Sequence, residues 1–218
     1  MSRTLYDCPR ISQRITTTLF ATQSLARAAF IACGTVSALV AIQLTGDAAW
    51  AGVPAAVLQL AGAFAAEVVG ATTERIGRRS GLALGLGVGV LGMGVAAGAI
   101  IADAWLLFLG GLTLMGAASA AALLGRFAVA EVHPPERRGR AISNVVIGGA
   151  IGAVVGPLIV GPSGRWAQRA GVNELAGPFV AALVMLAVAA LATFAWLRPD
   201  PRDVGRKMAE RHPEPTVH

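Results

Sequence analysis

Six apolar runs, at 18–44, 51–71, 81–102, 104–129, 141–162 and 175–197, dominate the chain. Each is long enough to cross a bilayer, because about twenty mostly apolar residues in a helix span ~30 Å of hydrocarbon. The stretches between the runs alternate in arginine. Arg3, Arg10 and Arg14 precede the first run, whereas Asp47 is the charge in the turn that follows it. Arg75, Arg78 and Arg79 separate runs two and three, no basic residue separates three and four, and Arg137, Arg138 and Arg140 separate four and five. Arg198, Arg202, Arg206, Lys207 and Arg211 follow the last run; only 163–174, with Arg165 and Arg169, puts basic residues on the opposite side. The positive-inside bias therefore predicts a multi-pass protein of the cell (inner or plasma) membrane with both termini cytoplasmic. Trp50, Trp105 and Trp166 fall at three external ends and Trp196 at an internal one, where an amphipathic indole prefers to sit.

Composition agrees. A chain of 218 residues that is 55% hydrophobic and 14% charged has too little polar surface to cover a soluble globule, and its mean hydropathy is +0.65. The net charge of +6 does not point to nucleic acid, because the arginines sit in short clusters between apolar runs without interleaved aromatics. Cys8 and Cys33 cannot form a disulfide framework, one lying in a polar tail and the other inside an apolar run. The first apolar run has no small-residue cleavage pattern after it and is expected to remain as a helix rather than be removed as a signal peptide. The expected organisation is a cytoplasmic tail over 1–17, an all-α bundle of six transmembrane helices over 18–197, and a charged, proline-containing cytoplasmic tail over 198–218.

The segment Gly70-Ala71-Thr72-Thr73-Glu74-Arg75-Ile76-Gly77-Arg78-Arg79 carries a specific pattern. It resembles the loop between the second and third helices of major facilitator superfamily transporters, with Glu74 in place of an aspartate. Physically, Gly77 suits a positive-φ position that ends one helix and reverses the chain. Ser80 is expected to cap the next helix, and the arginines can reach the headgroups. The resemblance implies a gating role for Gly70, Glu74, Arg75, Gly77, Arg78 and Arg79. A second segment, Arg126 to Ala141, resembles the family's link between helices 4 and 5; Pro134 and Pro135 stop the helix. Glu131 then stands at the cytoplasmic mouth, where a pair with Arg75 or Arg78 would act as a latch, while the neighbouring His133 reads as a solvated loop residue.

Gly81, Gly85 and Gly89, followed by Gly94 and Gly98, give the third run a ridge almost free of side chains, read as a packing surface. Gly148, Gly149, Gly152, Gly156, Pro157, Gly161 and Pro162 in the fifth run resemble the glycine and proline pattern of the family's antiporters, with Ser143 and Val160 departing from it. That resemblance implies a hinge at Gly152, Gly156 and Pro157, and export. Pro157 also removes a helical donor. Proton-linked members carry an arginine four residues before a mid-helix glycine in helix 4; here Leu112 holds that place before Gly116.

Arg27, Glu67 and Arg126 are ionisable residues inside apolar runs, where each needs a partner or water. Two readings stand together. In one, the three line the cytoplasmic half of a polar cavity, with Glu67 the carboxylate available to carry a coupling proton. In the other, Arg27 and Glu67 neutralise each other across helices 1 and 2, and the rest is snorkelling. Gln23 shares a helix face with Arg27. Ser24, Thr35 and Ser37 are expected to bond to their own helix carbonyls. Paired carboxylates, nucleophile motifs, metal clusters and phosphate-binding loops are missing from the sequence, so the chain reads as a non-enzyme without cofactor or metal.

The resemblance covers about residues 17 to 200, the first six-helix half of a twelve-helix family built of three-helix inverted repeats. It implies a transporter of a small solute by alternating access, working in the lipid bilayer with a second six-helix half or with its own copy. That partner would bury the glycine-rich faces of helices 2 and 5. The alternative is a truncated or remnant membrane protein that does not transport and has a binding or scaffolding role.

Overall fold

The computed structural model describes the backbone of residues 8–131 and 135–197, and the side chains of 13–127, 129 and 138–197. Among the described residues the chain is α-helical. The helices are α1 (Cys8–Thr45), α2 (Val53–Ile76), α3 (Arg78–Ile101), α4 (Trp105–Glu131), α5 (Pro135–Arg169) and α6 (Ala176–Trp196), with a 3-10 turn at Ala48–Gly52. All six are long and apolar enough to cross a membrane, as the bilayer demands of a chain that must satisfy its backbone internally. His133, Pro134 and the tails over 1–7 and 198–218 lie outside the described residues.

The helices outrun the apolar segments that mark them. α1 starts at Cys8, well before residue 18. α5 continues through Pro157 and Pro162 to Arg169, so that Arg165 and Arg169 sit in its last turns rather than in a loop. Hydrophobicity marks what enters lipid; helix formation needs no such limit, and arginine is itself a good helix former.

The packing has an internal symmetry. α1 lies chiefly against α5 and α6, and α4 correspondingly against α2 and α3, while α3 meets α6 across the middle. Exchanging α1–α3 with α4–α6 reproduces this pattern, and three crossings per repeat invert the orientation of the second relative to the first. α2 and α3, joined by a single residue, meet through Thr73 against Gly81 and Val69 against Gly85, and α2 packs more extensively on α4 than on α3. The core lies where α1, α3, α4 and α6 converge, around Val36, Met93, Phe108, Leu112, Met115 and Phe179. Leu112, at the place the proton-linked pattern gives to arginine, is fully buried there. Cys33 is a buried thiol.

Close approach is set by glycine. A Cβ on Gly85 would lie 2.8 Å from the Ala121 Cβ, and one on Gly92 would lie 2.6 Å from the Gly111 carbonyl oxygen. Gly81 and Gly89 are equally crowded, by Thr73 and Ala118. Gly98, by contrast, faces open space and Gly94 meets only Leu183, so the ridge runs through Gly92 and not along all the glycines of α3. At the end of the bundle opposite Gly77, Trp50 stands edge-on to Trp105 with centroids 6.1 Å apart, and Phe108 is edge-on to Phe179 at 5.6 Å.

Candidate functional site

The 70–79 segment forms the end of α2, a one-residue turn and the start of α3. Gly77 has φ +94° and ψ 156°, a conformation open to glycine and strained for any other residue. The next helix begins at once with Arg78, so Ser80 falls inside its first turn, and no side chain caps the start. The expected Ser80 cap fails because the helix starts three residues earlier than a cap there requires. Buried Thr73 donates its hydroxyl to the Gly70 carbonyl at 2.7 Å. Its Cα would lie 2.7 Å from a Cβ on Gly81, which locks the hairpin.

The charged residues of this segment do different things. Glu74 and Arg75 are exposed, whereas Arg78 and Arg79 are half-buried. Arg79 donates its Nε–H to the Phe194 carbonyl at 2.7 Å, and its guanidinium sits 4.5 Å from the centroid of the Phe194 ring. The Phe194 carbonyl is among those at a helix C-terminus that lack an intrahelical donor, and a cation suits that end of the macrodipole. Arg79 thereby ties α3 to the end of α6. Sequence reading grouped it with Arg75 and Arg78; the aromatic Phe194, three residues before the end of the last apolar run, was the available sign. Glu131 closes α4, and its side chain lies outside the described residues.

An open cavity of about 260 Å³ lies between α1, α2 and α4. Gln23, Arg27 and Phe30 face it from α1, Gln59, Ala63 and Ala66 from α2, and Ser119, Leu123 and Arg126 from α4. Each set follows the three- and four-residue spacing that puts side chains on one helical face. Gln23 is buried and donates from Nε2 to the Ala122 carbonyl, joining α1 to α4 at the cavity edge. Arg27 is exposed to the cavity and Arg126 half-buried. Glu67 is exposed, one residue beyond Ala66, and stands outside this lining. Among the described residues no ion pair joins Arg27 to Glu67: similar depth along two helices did not bring the two side chains together. Gln59 and Ser119 escaped sequence reading, although polar residues in the middle of apolar runs are themselves a signal.

The other hydroxyls of α1 serve their own helix: Ser24 bonds to the Phe20 carbonyl, Thr35 to that of Ile31 and Ser37 to that of Cys33. In α5, Gly152 and Gly156 press on α1. A Cβ on Gly152 would lie 3.0 Å from the Ala28 nitrogen, and one on Gly156 2.8 Å from the Ala28 oxygen. The glycine face expected to await a second half is thus already filled by α1, while Pro157 points outward. Among the described residues no cluster of His, Cys, Asp and Glu could hold a metal.

The family model for the Major Facilitator Superfamily matches residues 18–217. The chain belongs to this superfamily. It is 39% identical over 182 residues to the uncharacterized MFS-type transporter YdeG of Bacillus subtilis, covering 83% of this chain and 42% of that protein. It is 38% identical over 176 residues to the uncharacterized MFS-type transporter YddS of the same organism, 80% of this chain and 40% of the relative. With the riboflavin transporter RfnT of Brucella anthropi it shares 29% identity over 180 residues, 79% of this chain and 44% of the relative. The chain therefore spans about two-fifths of the length of these major facilitator relatives, and it is a multi-pass membrane protein of the six-helix type the superfamily uses.

Proposed function

We propose that this chain is one half of a secondary transporter that moves a small solute by alternating access, completed by a second six-helix half or by a second copy of itself. The observation that carries the reading is the polar cavity on α1, α2 and α4, which this chain leaves open on one side and which a facing half would close into a path. The exposure of α2 and α5, the two least buried of the six helices, supports it: Leu60, Phe64 and Val68 form an exposed apolar row along α2. The name of the riboflavin-transporting relative supports a small-molecule cargo without defining it.

In this reading the arginine-bearing Gly77 end faces the cytoplasm in the inner or plasma membrane. Glu74, Arg75 and Arg78, together with Glu131, form the gate there, and Glu67 is the candidate proton carrier. The one-residue turn at Gly77 supports the gate assignment, because it holds Glu74 and Arg78 at a fixed spacing. Gly152 and Gly156 form the hinge where α5 meets α1, and Pro157 belongs to the same hinge from the exposed side of α5.

The test is reconstitution of the chain alone and with a candidate helix 7–12 polypeptide, followed by uptake of a radiolabelled solute panel across an imposed pH gradient. Flux from the paired protein, or from a dimer of this chain, is expected. A strictly monomeric particle inactive in both arms would leave a membrane protein that does not transport. Glu67→Gln with unchanged pH dependence of flux would remove Glu67 from coupling, and reaction of an impermeant thiol reagent with Ile76→Cys from outside the cell would reverse the topology.

A further inference from the structure

Among the described residues, the wall shared by α1, α2 and α4 carries two guanidiniums and no acid. Arg27 and Arg126 line the cavity beside Gln23, Gln59 and Ser119, all uncharged. A guanidinium does not give up its proton in a protein, so neither residue can shed its charge when the site dries, as a lysine or histidine can. Arg27 lies eighteen residues before the Thr45 end of α1, roughly 27 Å along the helix axis, which places it toward the arginine-bearing end of the span. Gln23 spends its amide N–H on the Ala122 carbonyl, and Glu67 stands outside the lining. From this we infer that the cavity binds a small organic oxyanion, its charged group held by Arg27 and Arg126 and its apolar body laid against Phe30, Ala63 and Ala66.

The chemistry fits the residues present. Guanidinium presents N–H donors in a planar fork that matches the two oxygens of a carboxylate or phosphate, and two such groups on facing helices clamp an oxyanion from two sides. Gln59 and Ser119 supply neutral hydrogen-bonding groups further along the same wall, and apolar side chains form the rest of it. A cationic solute meets two like charges there, with no carboxylate among the described lining residues to offset them. As an assignment of cargo the inference rests on the transporter reading above; as a binding site it is a property of this chain.

The experiment is equilibrium binding of radiolabelled benzoate to the full chain in lipid nanodiscs, with inorganic phosphate, benzamide and benzylammonium as competitors. Saturable benzoate binding is expected, displaced by phosphate and by unlabelled benzoate and unaffected by benzamide or benzylammonium at equal concentration. Arg27→Gln and Arg126→Gln should each weaken benzoate roughly tenfold or more, the loss expected for one charge-assisted contact. Arg165→Gln, on α5 and outside the lining, should leave it unchanged. A folded, monodisperse chain that binds no benzoate, or binds benzamide or benzylammonium as well, overturns the inference, as does benzoate affinity indifferent to both arginine substitutions. Flux of a neutral or cationic solute through the paired protein, insensitive to both substitutions, would overturn the oxyanion assignment and leave the transporter reading standing. Arginine-dependent benzoate binding without flux in any assembly would do the reverse.

Discussion

On the side of α4 turned to α3, Gly111, Met115, Ala118 and Ala121 meet Gly85, Gly89, Gly92 and Ala96 at near-backbone distance. On the side turned to α1 and α2, Ser119, Leu123 and Arg126 stand around open volume. One helix thus serves two opposite needs. In lipid, association cannot draw on apolar burial as it does in water, so helices gain from close van der Waals approach, and glycine and alanine permit it. The other face keeps such contact at Gly116, where a Cβ would lie 2.6 Å from the Ala61 carbonyl carbon, and gives it up around Ser119, Leu123 and Arg126, which face a cavity, the arrangement in which an intramembrane arginine is tolerable. The difference separates residues that hold the bundle together from residues left for a ligand.

The comparison breaks first if crowding does not govern the closed seams. Gly92→Ala in the α3–α4 seam and Gly152→Ala in the α1–α5 seam push a methyl group into neighbouring backbone. Each is expected to destabilise the protein by about 2–3 kcal/mol, read as a lower thermal midpoint in detergent and a loss of monodisperse material. A smaller effect follows at the Gly77 end: Arg79→Ala removes a hydrogen bond to the Phe194 carbonyl and a cation–π contact, and about 1 kcal/mol should be lost. Proteolysis should then find the end of α6 more readily, and an unchanged cleavage rate would mean that Arg79 does not hold it. Gln23→Leu tests the border between the two faces of α4. Losing its bond to the Ala122 carbonyl should cost about 0.6 kcal/mol, the average for such contacts in membrane proteins, in the same thermal assay. The smallest effect belongs to glycines in open space. Gly98→Ala and Gly149→Ala meet nothing within 4 Å and should stay within roughly 0.5 kcal/mol of the parent; a large loss at either would show that composition and not crowding sets the seams.

Much of this was legible beforehand. The six helices and their order follow from runs of apolar residues, and the reversal at Gly77 from one glycine between charged residues. The superfamily was recognisable from ten residues in the 70–79 segment. The glycines were legible as a class and not individually: Gly81, Gly85 and Gly89 do form the expected ridge, Gly98 does not, and Gly152 and Gly156 turn to α1 rather than to a second half. Which face of a long helix meets a neighbour depends on rotation and crossing angle, which shift by a fraction of a turn without altering any local pattern. The same limit explains Arg27 and Glu67. Their depths could be counted along two helices, but their facing could not, and the structure gives Arg27 the company of Arg126 instead.

The sequence by itself determined that this chain threads a bilayer six times and belongs among the major facilitators, because the solvent imposes length and polarity on every span regardless of what the span packs against. The tertiary structure alone decided which glycines are seams, that Arg79 is committed to α6, and that two arginines share a cavity. Those outcomes arise where side chains from different helices compete for the same volume, and that competition is settled only when the helices are side by side.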